Sequence, residues 1–514
     1  MSTPHDVGYP TQGEVIRFLF NAAGVLPEKR DQVPLDAKRR AAIRKVLERL
    51  ATEEGELEEN FDEMARQLAD LAGAYLELEP VRQAAEEVVG AVLQAYRDCV
   101  RQRGTYLSKA ATLRWVVREI WLPAVAHAIA LAVTRYNLRP LAAWLPPDAD
   151  WFLPRSQDGV TTTPLATVMR WIYDSEGVSQ TQFHYPDRPA DEHDAALRQA
   201  LDNAQHWSGG SHLPSAPALR WTFERAAARP GAAPPEPMTV AGRQIALFLA
   251  RCATFLATAL ESAFGAEFLR ETRDLFAHRL ALALRDAMSI ERHIADLAER
   301  SGVPALAFDL RSHAIDVAEH DLADRKRRMA AELARLGPGS WADVALLERF
   351  AQAHGDYAVL DLVPRERLHD VPPHFEDGLR EGRGLWKQRE PLALVDIDRY
   401  ERRLADTGVD RLLPWIVPWL RFLVFYRSED FEAAWPWVER AYELARYRAG
   451  ADQYPIVNHY IEMTAKRRDR VAFRKGINWA RYIELDVRWL REREPTPENL
   501  DFAMEILARA RYGV

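Results

Sequence analysis

The chain has 514 residues, of which 48% are hydrophobic and 28% charged, with a formal net charge of −8. That length suits about three or four domains or one helical array, and the apolar fraction excludes wholesale disorder. Cys99 and Cys252 are the only cysteines and neither sits in a C-x-x-C pair, which excludes a disulfide framework and a thiolate zinc site.

Residues 1–10 lack the basic-then-apolar pattern of a secretory signal, so a cytoplasmic location is expected. Apolar residues recur at helical spacing and alternating β-branched runs are scarce, so the expected fold is all-α. The first block, 1–147, reads as a helical bundle with helices over 36–50, 57–78, 80–103 and 110–137. Pro80 suits a helix start, where its missing N–H costs nothing. Between positions 53 and 79, ten carboxylates face Arg66 alone. This acidic stretch reads as a solvated face or as a dock for a basic partner.

Residues 122–133 are apolar but cover only about half of the ~20 residues a bilayer requires. Residues 245–260 are interrupted by Arg251, at a cost of ~2.5–3.5 kcal/mol at a bilayer centre. Both are expected as core helices, and no membrane partner is expected.

A second unit, 151–228, is turn-rich and then helical, and a stiff proline-rich linker, 229–237, follows it. A central helical block, 239–336, closes at Gly337-Pro338-Gly339. The last block, 340–514, is helical and dense in aromatics.

The second unit has a distinctive spacing. A helix over 165–172 runs into Asp174-Ser-Glu-Gly177, where glycine suits a left-handed cap. Ser179 is placed to cap a short helix that begins at Gln180. Further on stand Trp207, Gly210, Pro214, Ser215 and Leu219. These residues resemble the Cro/repressor-type (XRE) helix-turn-helix, with its Gly-x-Ser-Gln opening and its Trp-x-x-Gly-x-x-x-Pro-Ser turn. The sequence departs from that pattern in an apparent insertion over 184–194 and in Ser208, where an acidic residue is usual. The resemblance implies a recognition helix over about 195–206. Arg198, Gln199, Asp202 and Asn203 would face the major groove, with Gln180 near a phosphate. A fold used only for packing is the alternative, because the segment is close to charge-neutral and phosphate binding favours a basic face.

Near the C-terminus, residues 466–493 hold ten basic residues against four acidic ones. On one helix, Arg467, Arg470, Arg474, Arg481 and Arg488 would fall near one face, with Trp479 and Tyr482 as stacking groups. A salt-bridged surface is the competing reading of that stripe. Just before it, residues 430–444 resemble the second helix of a tetratricopeptide repeat, with small Ala434 and Ala441 at the helix contact. Pro436 departs from that pattern and fits only a first turn. The aromatic set Trp415, Trp419, Phe422, Phe425, Trp435 and Trp437 is expected as repeat core.

Phosphate-loop, dinucleotide, zincin and nucleophile-elbow motifs are absent from the sequence. Arg273 and His278 are similar to the R-x4–6-H motif of HEPN ribonucleases, which implies histidine acid/base chemistry near its ordinary pKa of about 6.5. His313, Asp316, His320 and Asp324 share one helical face and have metal-ligand chemistry, though a solvated polar stripe has the same pattern. No cofactor is implied.

Together these features point to a non-enzymatic protein, a regulatory or phage-defence component, that binds DNA and docks partner proteins. The docks would be the C-terminal hairpins or the acidic 53–79 face. A helical scaffold without nucleic acid, and a ribonuclease using Arg273 and His278, are the alternatives.

Overall fold

The computed structural model describes residues 7–25, 45, 66–102, 104–157, 160–186, 195–210, 212–229, 236–303, 315, 374–388, 391–487 and 496–509. Within these, the fold is all-α apart from one short antiparallel hairpin, β1 (Arg155–Gln157) with β2 (Val160–Thr162).

Helix α1 (Gln12–Ala23) opens with a capping box, in which Thr11 and Glu14 satisfy each other's backbone N–H groups. It buries Val15, Ile16 and Phe20. Helix α2 (Glu79–Gln102) carries Pro80 in its first turn and buries Val92, Leu93, Tyr96 and Val100 along one face. Helix α3 (Lys109–Val116), a π turn (Val117–Trp121) and helix α4 (Leu122–Arg135) form one continuous rod. The π turn absorbs Pro123, which has no N–H to offer the preceding turn.

The rod Lys109–Arg135 is thus longer than the apolar run 122–133 alone. It and Pro237–Phe264 are the two described helices long and apolar enough to cross a membrane. The first packs against α2 and a long helix, α10, defined below. The second carries a buried arginine, Arg251.

Four helices follow: α5 (Pro164–Glu176), α6 (Gln180–His184), α7 (Ala195–Gly209) and α8 (Ala216–Ala227). Of these, α5 and α8 pack on α9 (Pro237–Phe264), which turns at Gly265 into α10 (Ala266–Ser301), while α6 packs on α7 and α8. A separate core of Trp151, Leu165, Val168, Met169, Ile172, Phe183, Trp207, Leu219 and Phe223 closes over Ala246, Leu247 and Ala250 of α9.

The C-terminal part stacks α11 (Phe375–Lys387), α12 (Leu394–Asp406), α13 (Ile416–Arg427), α14 (Phe431–Ala445), α15 (Gln453–Lys466), α16 (Arg470–Tyr482) and α17 (Pro497–Arg509). Neighbours pack in succession, α13 on α14, α14 on α15 and α15 on α16 and α17. Trp415, Trp419 and Phe422 are buried, while Phe425, Trp435 and Trp437 pack at the margin of the same core. Ala434 and Ala441 are fully buried. Pro436 lies inside α14, beyond the first turn to which it was expected to be confined. The helix continues past it, forgoing one backbone hydrogen bond.

The N-terminal helices share this C-terminal core, which runs from Tyr9 to Leu507. Polar contacts reinforce the junction. Thr105 N–H donates to the Arg448 carbonyl at 2.8 Å, and Gln453 Nε2 to that of Val100 at 2.9 Å. Gln453 Oε1 in turn accepts from Trp479 Nε1 at 2.8 Å.

Candidate nucleic-acid interface

The local chemistry of α5–α8 follows the sequence closely. Thr163 caps α5 by accepting from Ala166 N–H at 3.2 Å, and Gly177 ends it in the left-handed conformation, φ 61°. Ser179 caps α6 in a reciprocal capping box with Gln182. Ser215 caps α8. Trp207 is buried in the small core. Ser208, at the position where the sequence departs from the expected pattern, has its carbonyl tied to Thr163 Oγ1 at 2.8 Å.

His184 corrects the expected boundary of the insertion. It is the last residue of α6 and is buried among Tyr173, Phe183 and Trp207. Its Nε2 lies 2.9 Å from the Tyr173 hydroxyl, and burial pushes its pKa down to about 4. Residues 187–194 of the apparent insertion lie outside the described residues.

Helix α7 extends to Gly209, three residues beyond its expected end at His206. It packs against α5 and α6. Arg198, Gln199 and Asp202 are exposed on it, Asn203 is half-buried, and Ala204 and Trp207 are buried. Gln199 Nε2 donates to Asn203 Oδ1 at 3.1 Å. Gln180, at the start of α6, is half-buried. Exposed α7 side chains of both charge signs, Arg198 and Asp202, leave this strip polar rather than basic.

The other ends of the unit are anchored by ion pairs. Glu176, at the end of α5, receives Arg243 from α9 and Arg229. Arg220 of α8 meets Glu224 at 2.7 Å and Glu77 at 3.1 Å. Trp221 stands 58% exposed on α8, with the Arg225 guanidinium 4.9 Å from its ring.

No protein family, curated protein or solved structure matches the chain. The arrangement of side chains therefore carries the functional reading.

The expected basic stripe is not on one helix. Arg467 caps the end of α15, Arg468 turns the chain with φ 59°, and Arg470 begins α16. Arg474 and Arg481 lie on α16, and Arg488 lies outside the described residues. Much of the positive charge is met by carboxylates. Arg467 pairs with Glu432 at 2.7 Å and covers the Trp435 ring, Arg468 pairs with Glu505, and Arg470 pairs with Asp501 at 3.1 Å. Lys475 bonds Glu443 at 2.5 Å. Burial would raise the Glu443 pKa, but Arg446 and Lys475 outweigh it and hold the carboxyl below its usual range. Arg474 and Arg481 have interaction partners as well. Trp479 and Tyr482, expected as stacking groups beside the stripe, are fully buried.

Arg273 and His278 lie on α10. Five residues of helix turn them roughly 140° apart. The Arg273 guanidinium bonds Asp274 Oδ1 at 2.6 Å, while His278 faces solvent. The helix does not bring the pair to one point. His313, Asp316, His320 and Asp324 lie outside the described residues, as do positions 53–65 of the acidic stretch. Among the described residues no group of three or more His, Cys, Asp or Glu could hold a metal ion.

Proposed function

We propose that the chain is a non-enzymatic, cytoplasmic helical protein that binds duplex DNA through α6 and α7 and docks a partner protein through its C-terminal hairpins. One observation carries the reading: α7 offers solvent a polar strip of Arg198, Gln199 and Asp202 while Ala204 and Trp207 root its opposite side. Arginine pairs bidentately with guanine, and glutamine or asparagine with adenine, at a major-groove edge. With Asn203 beside Gln199, the strip has the side chains for such contacts, and Gln180 at the start of α6 would meet the DNA backbone. The near-neutral surface predicts weak non-specific binding, so affinity would depend on sequence.

The test is selection of bound sites from a randomised duplex pool. An enriched sequence that Gln199→Ala and Arg198→Ala no longer retain supports the reading, and a pool that stays random opposes it. A helical scaffold that meets only protein is the competing reading. The carboxylate partners of Arg467, Arg468 and Arg470 favour it, and in either case those arginines serve helix-to-helix contact first.

A further inference from the structure

We propose that residues 7–25 form a latch that couples the C-terminal helical array to the turn between α7 and α8. At one end the chain is held between two loops. Gly8 N–H donates to the Leu107 carbonyl at 3.2 Å, and Tyr9 N–H to that of Tyr447 at 2.9 Å. Arg448 Nε donates to the Val7 carbonyl at 2.7 Å, and the Tyr96 hydroxyl to that of Pro10. Helix α1 then runs about 18 Å between the two anchored ends, packed on α9, with Phe20 fully buried and Phe18 against Phe255 at 5.5 Å.

At the far end, the Arg251 guanidinium gathers the carboxyl end of α1 and the α7–α8 turn. Its Nη1 donates to the carbonyls of Asn21, at 2.8 Å, and Ala22, and its Nε to that of Pro214, at 2.9 Å. Ala216 N–H donates to the Gly24 carbonyl at 3.0 Å. A cation suits the carbonyl end of a helix. Arg251 is only 6% exposed, so losing those carbonyls would strand a buried charge. Displacing α1 therefore releases the Pro214–Ala216 turn, and releasing that turn weakens the seat of α1. Coupling of this kind is reciprocal. The consequence that a partner bound near 447–449 is felt at α7 rests on the proposed function. The coupling itself does not.

Hydrogen exchange of the full chain, without DNA, tests it in Arg251→Lys and Tyr96→Phe, which perturb opposite ends. Lysine keeps the charge but cannot reach three carbonyls in one plane. The latch predicts that each variant raises exchange about tenfold at both ends, around Gly24 and Ala216 and around Gly8, Tyr9 and Thr105. A rise confined to the mutated end overturns it. Should Arg251→Lys fail to fold, Tyr96→Phe, which removes one hydroxyl, decides the matter by the response at Ala216. Absence of DNA binding would leave these outcomes unchanged, so the two readings fail separately.

Discussion

The Tyr173 hydroxyl and His184 Nε2 lie 2.9 Å apart, with Phe183 edge-on to both rings and Trp207 edge-on to the imidazole. The imidazole is neutral there, because burial among aromatic side chains disfavours its charged form. This pair ties the short α6 to the core beneath α7.

Stability should fall in acid for that reason. The folded-state pKa of His184 is about 4 against an ordinary 6.5. Its contribution is full above about 6.5 and is lost as pH falls toward about 4, reaching about 3 kcal/mol over the interval. His459, also pushed down to about 4 by burial, adds loss in the same direction. Denaturant titrations from pH 7 to 4 should show a shallower decline for His184→Phe than for the wild type. Equal slopes would count against a neutral buried His184.

Gly24 takes φ +64°, and a side chain there would run into the Arg251 guanidinium. Gly24→Ala should therefore destabilise the fold by more than the ~1–2 kcal/mol of a left-handed alanine alone. Thermal melting measures it, and an unchanged midpoint would show that Arg251 does not need to sit against that backbone.

Trp207 is buried in the small core. Trp207→Ala should cost about 3–5 kcal/mol in denaturant unfolding, with loss of exchange protection across α5–α8. A cost below about 1 kcal/mol would mean that α7 is held by something else.

The exposed ion pairs should matter little one at a time. Arg470→Ala removes the contact with Asp501, in which both side chains are largely exposed. Its effect on stability should lie within ~1 kcal/mol, and DNA affinity should be unchanged. A large loss of DNA affinity would return the C-terminal arginines to the interface.

Some local chemistry was readable in the sequence, although the equally local Thr11–Glu14 capping box that opens α1 was missed. Ser179, Ser215 and Gly177 cap their helices as their positions imply. What needed a distant partner was not readable. Two of the three carbonyls that hold Arg251 come from a helix more than two hundred residues away in sequence. Glu432, Asp501 and Glu505, which meet the C-terminal arginines, come from other helices. His184 looked like loop because its ring partners, Tyr173 and Trp207, lie on either side of the irregular stretch. The split of the stripe at Arg468 hinges on a left-handed arginine, a conformation that composition does not reveal.

Fluorescence anisotropy of labelled duplex DNA carrying the sequence enriched from the randomised pool, of single-stranded DNA and of RNA, at low and raised salt, tests the central claim most directly. The account predicts preferential duplex binding that weakens with salt and falls in Arg198→Ala and Gln199→Ala but not in Arg470→Ala. Absence of binding to all three, with the protein folded, would contradict it and leave the helical scaffold as the function of the chain.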